Sequence, residues 1–493
     1  MNRKAGVILP IFSLPSEYGI GDLGAEAYQF VDFLSAAGQS VWQVLPLNPT
    51  SAGNSPYSGF SAFAGNELLQ SFDPFIEEGI ISREQLNSEN WGSSVSRVDY
   101  GKIIPVKSYI LRKAGSAYYS LHSNEIERFA EENGYWLPDY CLFRALKQHF
   151  GEVSWDKWPE DIRFRKPEAL EKYSGLLRED ICSYRALQYV FFRQLSSLKE
   201  YMNGKGISFM GDLPFYVSYD SADVWAHSSN FQLDKDKLPT AVAGVPPDYF
   251  SKDGQLWNNP LYNWDYLKGN DYYWWVNRIE CAARCFDLMR LDHFRGFESY
   301  WSVPAGEKTA INGKWVKGPG LEFIELLKKK AGNMKFIAED LGILTDDVRK
   351  LLSDSKLPGM KVLQFAYSPD GSSDYLPHRH HADCVCYGGT HDNNTIQGWL
   401  DEAKENEIAF VKAYTMPSNA VTLCDRVLDS GLNSAAFLFI TQFQDYLGLD
   451  VNGRINVPGV PEGNWGWRMT PEMISWETAH KMRKMALEAN RGL

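Results

Sequence analysis

Cys285-Phe286-Asp287-Leu288-Met289-Arg290-Leu291-Asp292-His293-Phe294-Arg295-Gly296-Phe297 starts apolar and ends in a knot of charge. A short apolar run without polar alternation has the pattern of a fully buried parallel strand. Arg290, Asp292, His293 and Arg295 at its end are costly to bury unless they are paired and used. Taken alone, the segment reads equally as a structural ion-pair network where a strand meets its loop, or as a functional cluster. Recurrence tips the balance. Ile207-Ser208-Phe209-Met210-Gly211-Asp212-Leu213-Pro214 has the same shape, as does Met334-Lys335-Phe336-Ile337-Ala338-Glu339-Asp340-Leu341-Gly342. So does Cys384-Val385-Cys386-Tyr387-Gly388-Gly389-Thr390-His391-Asp392-Asn393-Asn394. Helix-like stretches separate these segments, and that alternation predicts a parallel α/β sheet. Carboxylates at the C-terminal ends of several strands predict the catalytic face of a (β/α)8 TIM barrel, with Asp292, Glu339 and Asp392 around one cavity.

Working outward, a first strand is expected over residues 6–12 and a second over 41–46. Glu179 to Tyr201 reads as a long amphipathic helix leading to the third strand, which ends at Asp212. A sixth strand is expected over 361–367, an eighth over 435–440, and a closing helix from Pro471 to Ala489. The division this predicts has five parts. Residues 1–71 carry two barrel strands and a substrate loop, and 72–180 form a mainly helical inserted subdomain. Residues 181–216 return to the barrel, 217–266 are a second insertion with a Gly-Pro-aromatic lid over Gly244–Gly254, and 267–493 complete the barrel. Gly19-Ile20-Gly21-Asp22-Leu23-Gly24 is not a dinucleotide fingerprint, because its glycine spacing is wrong.

Net charge is −12 over 493 residues, which argues against nucleic acid as a main partner and offers no basic patch for a membrane. No stretch has the length and apolarity of a bilayer span, and the N-terminus lacks a signal-peptide pattern. The seven cysteines fall outside zinc-site spacing and read as buried free thiols in a reducing cytoplasm, with no metal and no cofactor expected. Aromatics make up 14% of the chain, and many sit beside Gly, Pro and Asn, where they can stack on a flat ligand such as a sugar ring. Tyr57, in the turn-rich loop 48–66, is one of these; a satisfied surface tyrosine is the alternative. Paired carboxylates in an uncharged, aromatic-lined cleft point to glycosidic bond chemistry. One ionised carboxylate attacks an anomeric carbon, and a second, protonated one serves the leaving oxygen.

Ten motifs, four of them within the segments already quoted, occur in order. They are Gly53-Asn54-Ser55-Pro56-Tyr57, Phe63-Ala64-Gly65-Asn66, Gly211-Asp212-Leu213-Pro214, Asp220-Ser221-Ala222-Asp223-Val224-Trp225, Gly244-Val245-Pro246-Pro247-Asp248, Gln255-Leu256-Trp257, Met289 to Gly296, Ala338-Glu339-Asp340-Leu341-Gly342, Gly389-Thr390-His391-Asp392-Asn393, and Asn464-Trp465 before Trp467-Arg468. With them, essentially the whole chain resembles the 4-α-glucanotransferase family (amylomaltase, or disproportionating enzyme) of the α-amylase clan. The resemblance implies α-1,4-glucans and maltooligosaccharides as donor and acceptor. It implies Asp292 as nucleophile, Glu339 as general acid/base and Asp392 as transition-state stabiliser. It makes Arg290 the arginine beside the nucleophile and His293 and His391 contacts to sugar hydroxyls. Tyr57 and Trp257 become sugar contacts at the cleaved bond, with Ser55, Asp212, Gln255 and Asn456 as further substrate contacts. The chain departs from the family pattern at Asn258, where glycine is usual, at Asn394, where an acidic residue is common, and in the basic run His378-Arg379-His380-His381. A hydrolase of the same clan is the alternative reading. A non-catalytic glycan-binding barrel would be expected to lack one of the three carboxylates, and none is missing. Oligomeric state is not written in these features.

Overall fold

The computed structural model describes residues 3–247, 251–342, 344–416 and 420–492. Its strands in chain order are β1 (Lys4–Ile8), β2 (Val41–Gln43), β3 (Ser208–Leu213), β4 (Ala241–Val245), β5 (Gln255–Pro260), β6 (Leu288–Leu291), β7 (Ser299–Pro304), β8 (Lys314–Lys317), β9 (Lys335–Ala338), β10 (Met360–Val362), β11 (Val385–Tyr387) and β12 (Leu438–Gln442). Eight of them form one sheet in the order β10-β11-β12-β1-β2-β3-β6-β9, every pair parallel. Helical chain separates consecutive members, so the sheet curls into the expected (β/α)8 barrel.

Alternation along each short strand sorts the side chains. Ile8, Met210, Ile337, Val362, Tyr387 and Ile440 fill the lumen. Their neighbours Met289, Leu291, Phe336 and Ala338 face the helical shell. Arg290 lies between Met289 and Leu291 and therefore points inward, directly across from Asp212 in the β3–β6 register. Between β9 and β10 no ladder forms among the described residues. The gap is bridged by the Ala338 N–H donating to the Pro358 carbonyl (2.9 Å) and the Met360 N–H donating to Asp340 Oδ1 (2.6 Å). Gly359 is the residue at this seam for a steric reason, since a Cβ there would stand 2.7 Å from Asp340 Oδ2.

Several boundaries differ from the sequence expectation. The run from Cys285 is not continuous strand: Cys285 ends the helix Tyr273–Cys285, and β6 begins only at Leu288. The first strand is Lys4–Ile8, and Pro10, which has no N–H to give a ladder, precedes a 3-10 turn at Ile11–Ser13. The sixth strand stops at Val362 and passes into a 3-10 turn, and the eighth runs on to Gln442. Apolar runs that continue past a short barrel strand pack under the helical shell, so hydrophobicity alone overruns the strand end.

Between β2 and β3 the chain forms the helices Tyr100–Glu132, Leu137–His149 and Arg178–Gly204. The first and last cross closely at Gly115, where a Cβ would meet Ser183 Oγ at 2.6 Å. Ser183 Oγ uses that proximity to donate to the Arg112 carbonyl at 2.7 Å. A smaller antiparallel sheet, β5-β4-β7-β8, stands beside the barrel and combines the hairpin that carries Trp257 with a second hairpin over 299–317, not foreseen from sequence. Asp248, Tyr249 and Phe250 of the expected lid lie outside the described residues. Among the described residues no helix is long and apolar enough to cross a membrane.

Candidate active site

The charged knot gathers at the C-terminal ends of the barrel strands. Asp212 belongs to β3 and Arg290 to β6, Asp292 directly follows β6, Glu339 directly follows β9, and Asp392 lies in the loop after β11. Arg290 is the hub. Its Nη1 donates to both oxygens of Asp212 (2.8 and 2.9 Å) and to Asp292 Oδ1 (2.9 Å), and its Nη2 stands 4.0 Å from Glu339 Oε2. One guanidinium thus holds three carboxyl groups at the mouth of the lumen. Charge compensation at close range holds the arrangement, with the hydrogen bonds concentrated on Nη1, while Arg290 Nε is buried with no hydrogen-bond partner among the described residues.

Glu339 is fastened from the backbone. The His293 N–H donates to Oε2 (2.8 Å) and the Leu341 N–H to Oε1 (3.0 Å). His293 achieves this with φ 48° and ψ 50°, a left-handed conformation that costs a non-glycine residue about 1 kcal/mol. Burial is the largest influence on the Glu339 carboxyl. Arg290 opposes it, Asp292 reinforces it, and the proton affinity is pushed up to about 8. Burial likewise raises the Asp212 carboxyl, against the pull of Arg290, and lowers the His293 ring to about 4, so that ring is neutral near pH 7. His293 Nε2 is buried and has no hydrogen-bond partner among the described residues.

A second arm runs from Asp212 to Asp392. Tyr57 OH donates to Asp212 Oδ2 (2.8 Å), and its ring stacks on His391 with centroids 4.9 Å apart. His391 Nε2 is 3.3 Å from Asp392 Oδ1, and Asn456 Nδ2 donates to the same oxygen at 2.6 Å. On the other side, Trp257 meets the His293 ring edge-on at 5.0 Å. Ser55 Oγ accepts from the Tyr57 N–H (3.3 Å), and Gln255 Oε1 accepts from Trp257 Nε1 (3.2 Å). All twelve residues singled out from sequence therefore join one unbroken chain of contacts. Asp292 and Asp392 keep 27% and 46% of their side-chain surface exposed, so the cluster opens to solvent on the side where a ligand would approach.

Sequence reasoning assigned no role to four side chains that shape this site. Phe215 and Tyr216 collar His293, and Phe215 also explains Gly296, where a Cβ would meet its ring at 2.8 Å. Trp465 backs Tyr57 and His391, each at 6.0 Å. Arg454 donates from Nη2 to the Asp392 carbonyl (2.8 Å) and from Nε to the Asn456 carbonyl (2.7 Å), locking carboxylate and amide together. The aromatic pair directly after Asp212-Leu213-Pro214 was the available signal for the collar. Of the departures from the family pattern, Asn258 adopts φ 62°, a conformation asparagine tolerates better than other side chains, so it can replace a glycine there. Asn394 is buried, with Oδ1 accepting from the Thr395 N–H at 2.9 Å. In the histidine run, His378 engages Tyr414 OH and His380 the Tyr375 carbonyl, each at 2.8 Å.

Comparison with known proteins follows the same line. Residues 9–474 match the family profile described as 4-alpha-glucanotransferase. A 4-alpha-glucanotransferase of Clostridium butyricum is 43% identical over 481 residues, covering 96% of this chain and 98% of that protein. One from Thermus thermophilus is 42% identical and covers 99% of each. The solved structure of amylomaltase from Streptococcus agalactiae in complex with acarbose superposes with a TM-score of 0.96 at 39% identity, covering both chains completely. Barrel, carboxylate cluster and full-length similarity agree: the chain belongs to the 4-alpha-glucanotransferase family.

Proposed function

We propose that the protein transfers α-1,4-glucan segments between maltooligosaccharides by a retaining double displacement. The observation that carries this reading is the Arg290 hub, which sets an ion-paired Asp292 beside a Glu339 that still holds its proton at neutral pH. Asp292 attacks the anomeric carbon, the glycosidic bond breaks, and Glu339 gives its proton to the departing oxygen. The glycosyl ester that forms removes the Asp292 charge, which is one of the influences raising Glu339. The Glu339 proton affinity then falls, and the same group becomes the base that takes the proton of the incoming sugar hydroxyl. Asp392, steadied by Asn456 and Arg454, faces the developing positive charge. Neutral His293 offers Nε2 to a sugar hydroxyl, and Tyr57 and His391 form a stacked wall along the ring. Seven free, buried or half-buried thiols suit a reducing cytoplasm as the place of action.

Incubation with maltotriose tests the reading: free glucose and longer maltooligosaccharides should grow together. Release of glucose and maltose alone would make the protein a hydrolase. The pH profile follows from Glu339. Its acid form is required for bond cleavage, so kcat/KM for maltotriose should fall as pH rises through about 8. Rejecting water in favour of millimolar sugar takes roughly 4–7 kcal/mol at the acceptor side. Trp257 on β5 presents the ring for that contact. Trp257→Ala should lower transfer more than hydrolysis, read as a higher ratio of reducing ends released to bonds exchanged. An unchanged ratio would make Trp257 scaffold.

A further inference from the structure

Behind the aromatic collar the rings lead to a hollow outside the Arg290 cluster. From His293 the rings run outward through Phe215, Tyr262 and Trp274, each step 5.9 Å between centroids. Trp274 is fixed by its Nε1 donating to Asp223 Oδ1 (3.2 Å), and its far side lines a hollow of about 240 Å³. Tyr266, Tyr273, Asn270, Asn277 and Ser229 complete the part of the wall that matters here. Although charged residues make up 23% of the chain, no Asp, Glu, Lys or Arg among the described residues lines this hollow. The basic group in its wall is the His227 imidazole, and amides, hydroxyls and aromatic rings make up most of the rest. Tyr273 and Tyr266 leave 60% and 48% of their surface in water, large flat rings with amides between them. Asn270 Oδ1 is buried and has no partner among the described residues, and a hydroxyl is the natural donor to it. Aromatic faces for C–H surfaces, with amides and hydroxyls for polar edges, are the chemistry of neutral sugar recognition. A second depression of about 300 Å³ adjoins, sharing Ser228, Ser229 and Tyr266 with the first and adding one residue of each charge, Asp234 and Lys237, so the combined surface is elongated.

We infer that this groove, lined by Tyr266, Tyr273, Trp274 and Asn270, is a second glucan-docking site that holds a distant stretch of a long α-glucan while another stretch occupies the Arg290 cluster. The inference rests on the proposed glucan transfer. It assigns the chain a preference for long donors that the catalytic groups alone do not provide. Maltotriose turnover at the Arg290 cluster is expected to proceed without contact to the groove.

The test uses the whole protein with Tyr266→Ala, Tyr273→Ala, the double variant, and Ser229→Trp, which fills the hollow from an exposed position. Soluble amylose is the long probe and maltotriose the short one. Expected results are a rise of about five- to tenfold in apparent KM for amylose, weaker retardation in amylose-containing native gels, and unchanged kinetics on maltotriose. Unchanged maltotriose kinetics also report an intact fold. Equal losses on both substrates, or no change on either, would overturn the docking site. If the unaltered protein lacks transfer on maltotriose, the proposed function fails. The docking site then stands or falls on whether amylose retardation depends on Tyr266, Tyr273 and Ser229.

Discussion

Asp292→Asn is expected to lower transfer by about four to six orders of magnitude, the scale of losing a covalent nucleophile. An amide neither attacks an anomeric carbon nor balances the Arg290 guanidinium that now bonds Asp292 Oδ1 at 2.9 Å. Glu339→Gln should cost ordinary glucans about two to four orders, because only leaving-group protonation and acceptor deprotonation are lost. The two variants separate on glucosyl fluoride, whose leaving group needs little acid help. Glu339→Gln should accumulate an enzyme heavier by one glucosyl residue in mass spectrometry, and Asp292→Asn should not. An adduct on the Asp292 variant instead would reverse the assignment.

Arg290→Met is the second large effect. It removes the common donor of Asp212, Asp292 and Glu339 and leaves carboxyl groups buried without their counter-charge. Breaking a buried ion pair from one side costs about 3–5 kcal/mol, which a shift in the denaturation midpoint would show. Arg290 also opposes the rise in the proton affinities of Asp212 and Glu339. With it gone, both carboxyls hold their protons to higher pH. The alkaline limb of residual activity should therefore move upward from about 8. A drop in stability with an unmoved limb would show that Arg290 only props the barrel. Arg290→Lys should recover part of the stability and little of the activity, since a single ammonium cannot reproduce the planar fork.

The barrel was legible because its strands are short, buried and followed by carboxylates, and because ten motifs fall in family order. Arg290 and Asp212 stood out as charge closing short apolar runs, and their roles came from the family resemblance; that they face each other across neighbouring strands is a fact of the register. Strand ends were less legible. Cys285 and Phe286 are as apolar as Met289, and only the fold distinguishes a helix end from a strand start. Arg454 was invisible as a positioning group because it acts through carbonyls, which carry no sequence signature. The hairpin over 299–317 was missed because partly exposed strands such as Lys314–Lys317 lack the continuous apolar run used to find the others.

Two kinds of contact close the barrel wall. Seven of the eight junctions around the cylinder are backbone ladders, which almost any side chain leaves intact. The eighth, directly beside Glu339, is held in part by the carboxylate of Asp340 and depends on the bare backbone of Gly359. Closure at that point is therefore written in two codons rather than in the polypeptide common to all sequences. A substitution at 340 or 359 would disturb closure beside Glu339 while leaving every residue of the Arg290 cluster unchanged.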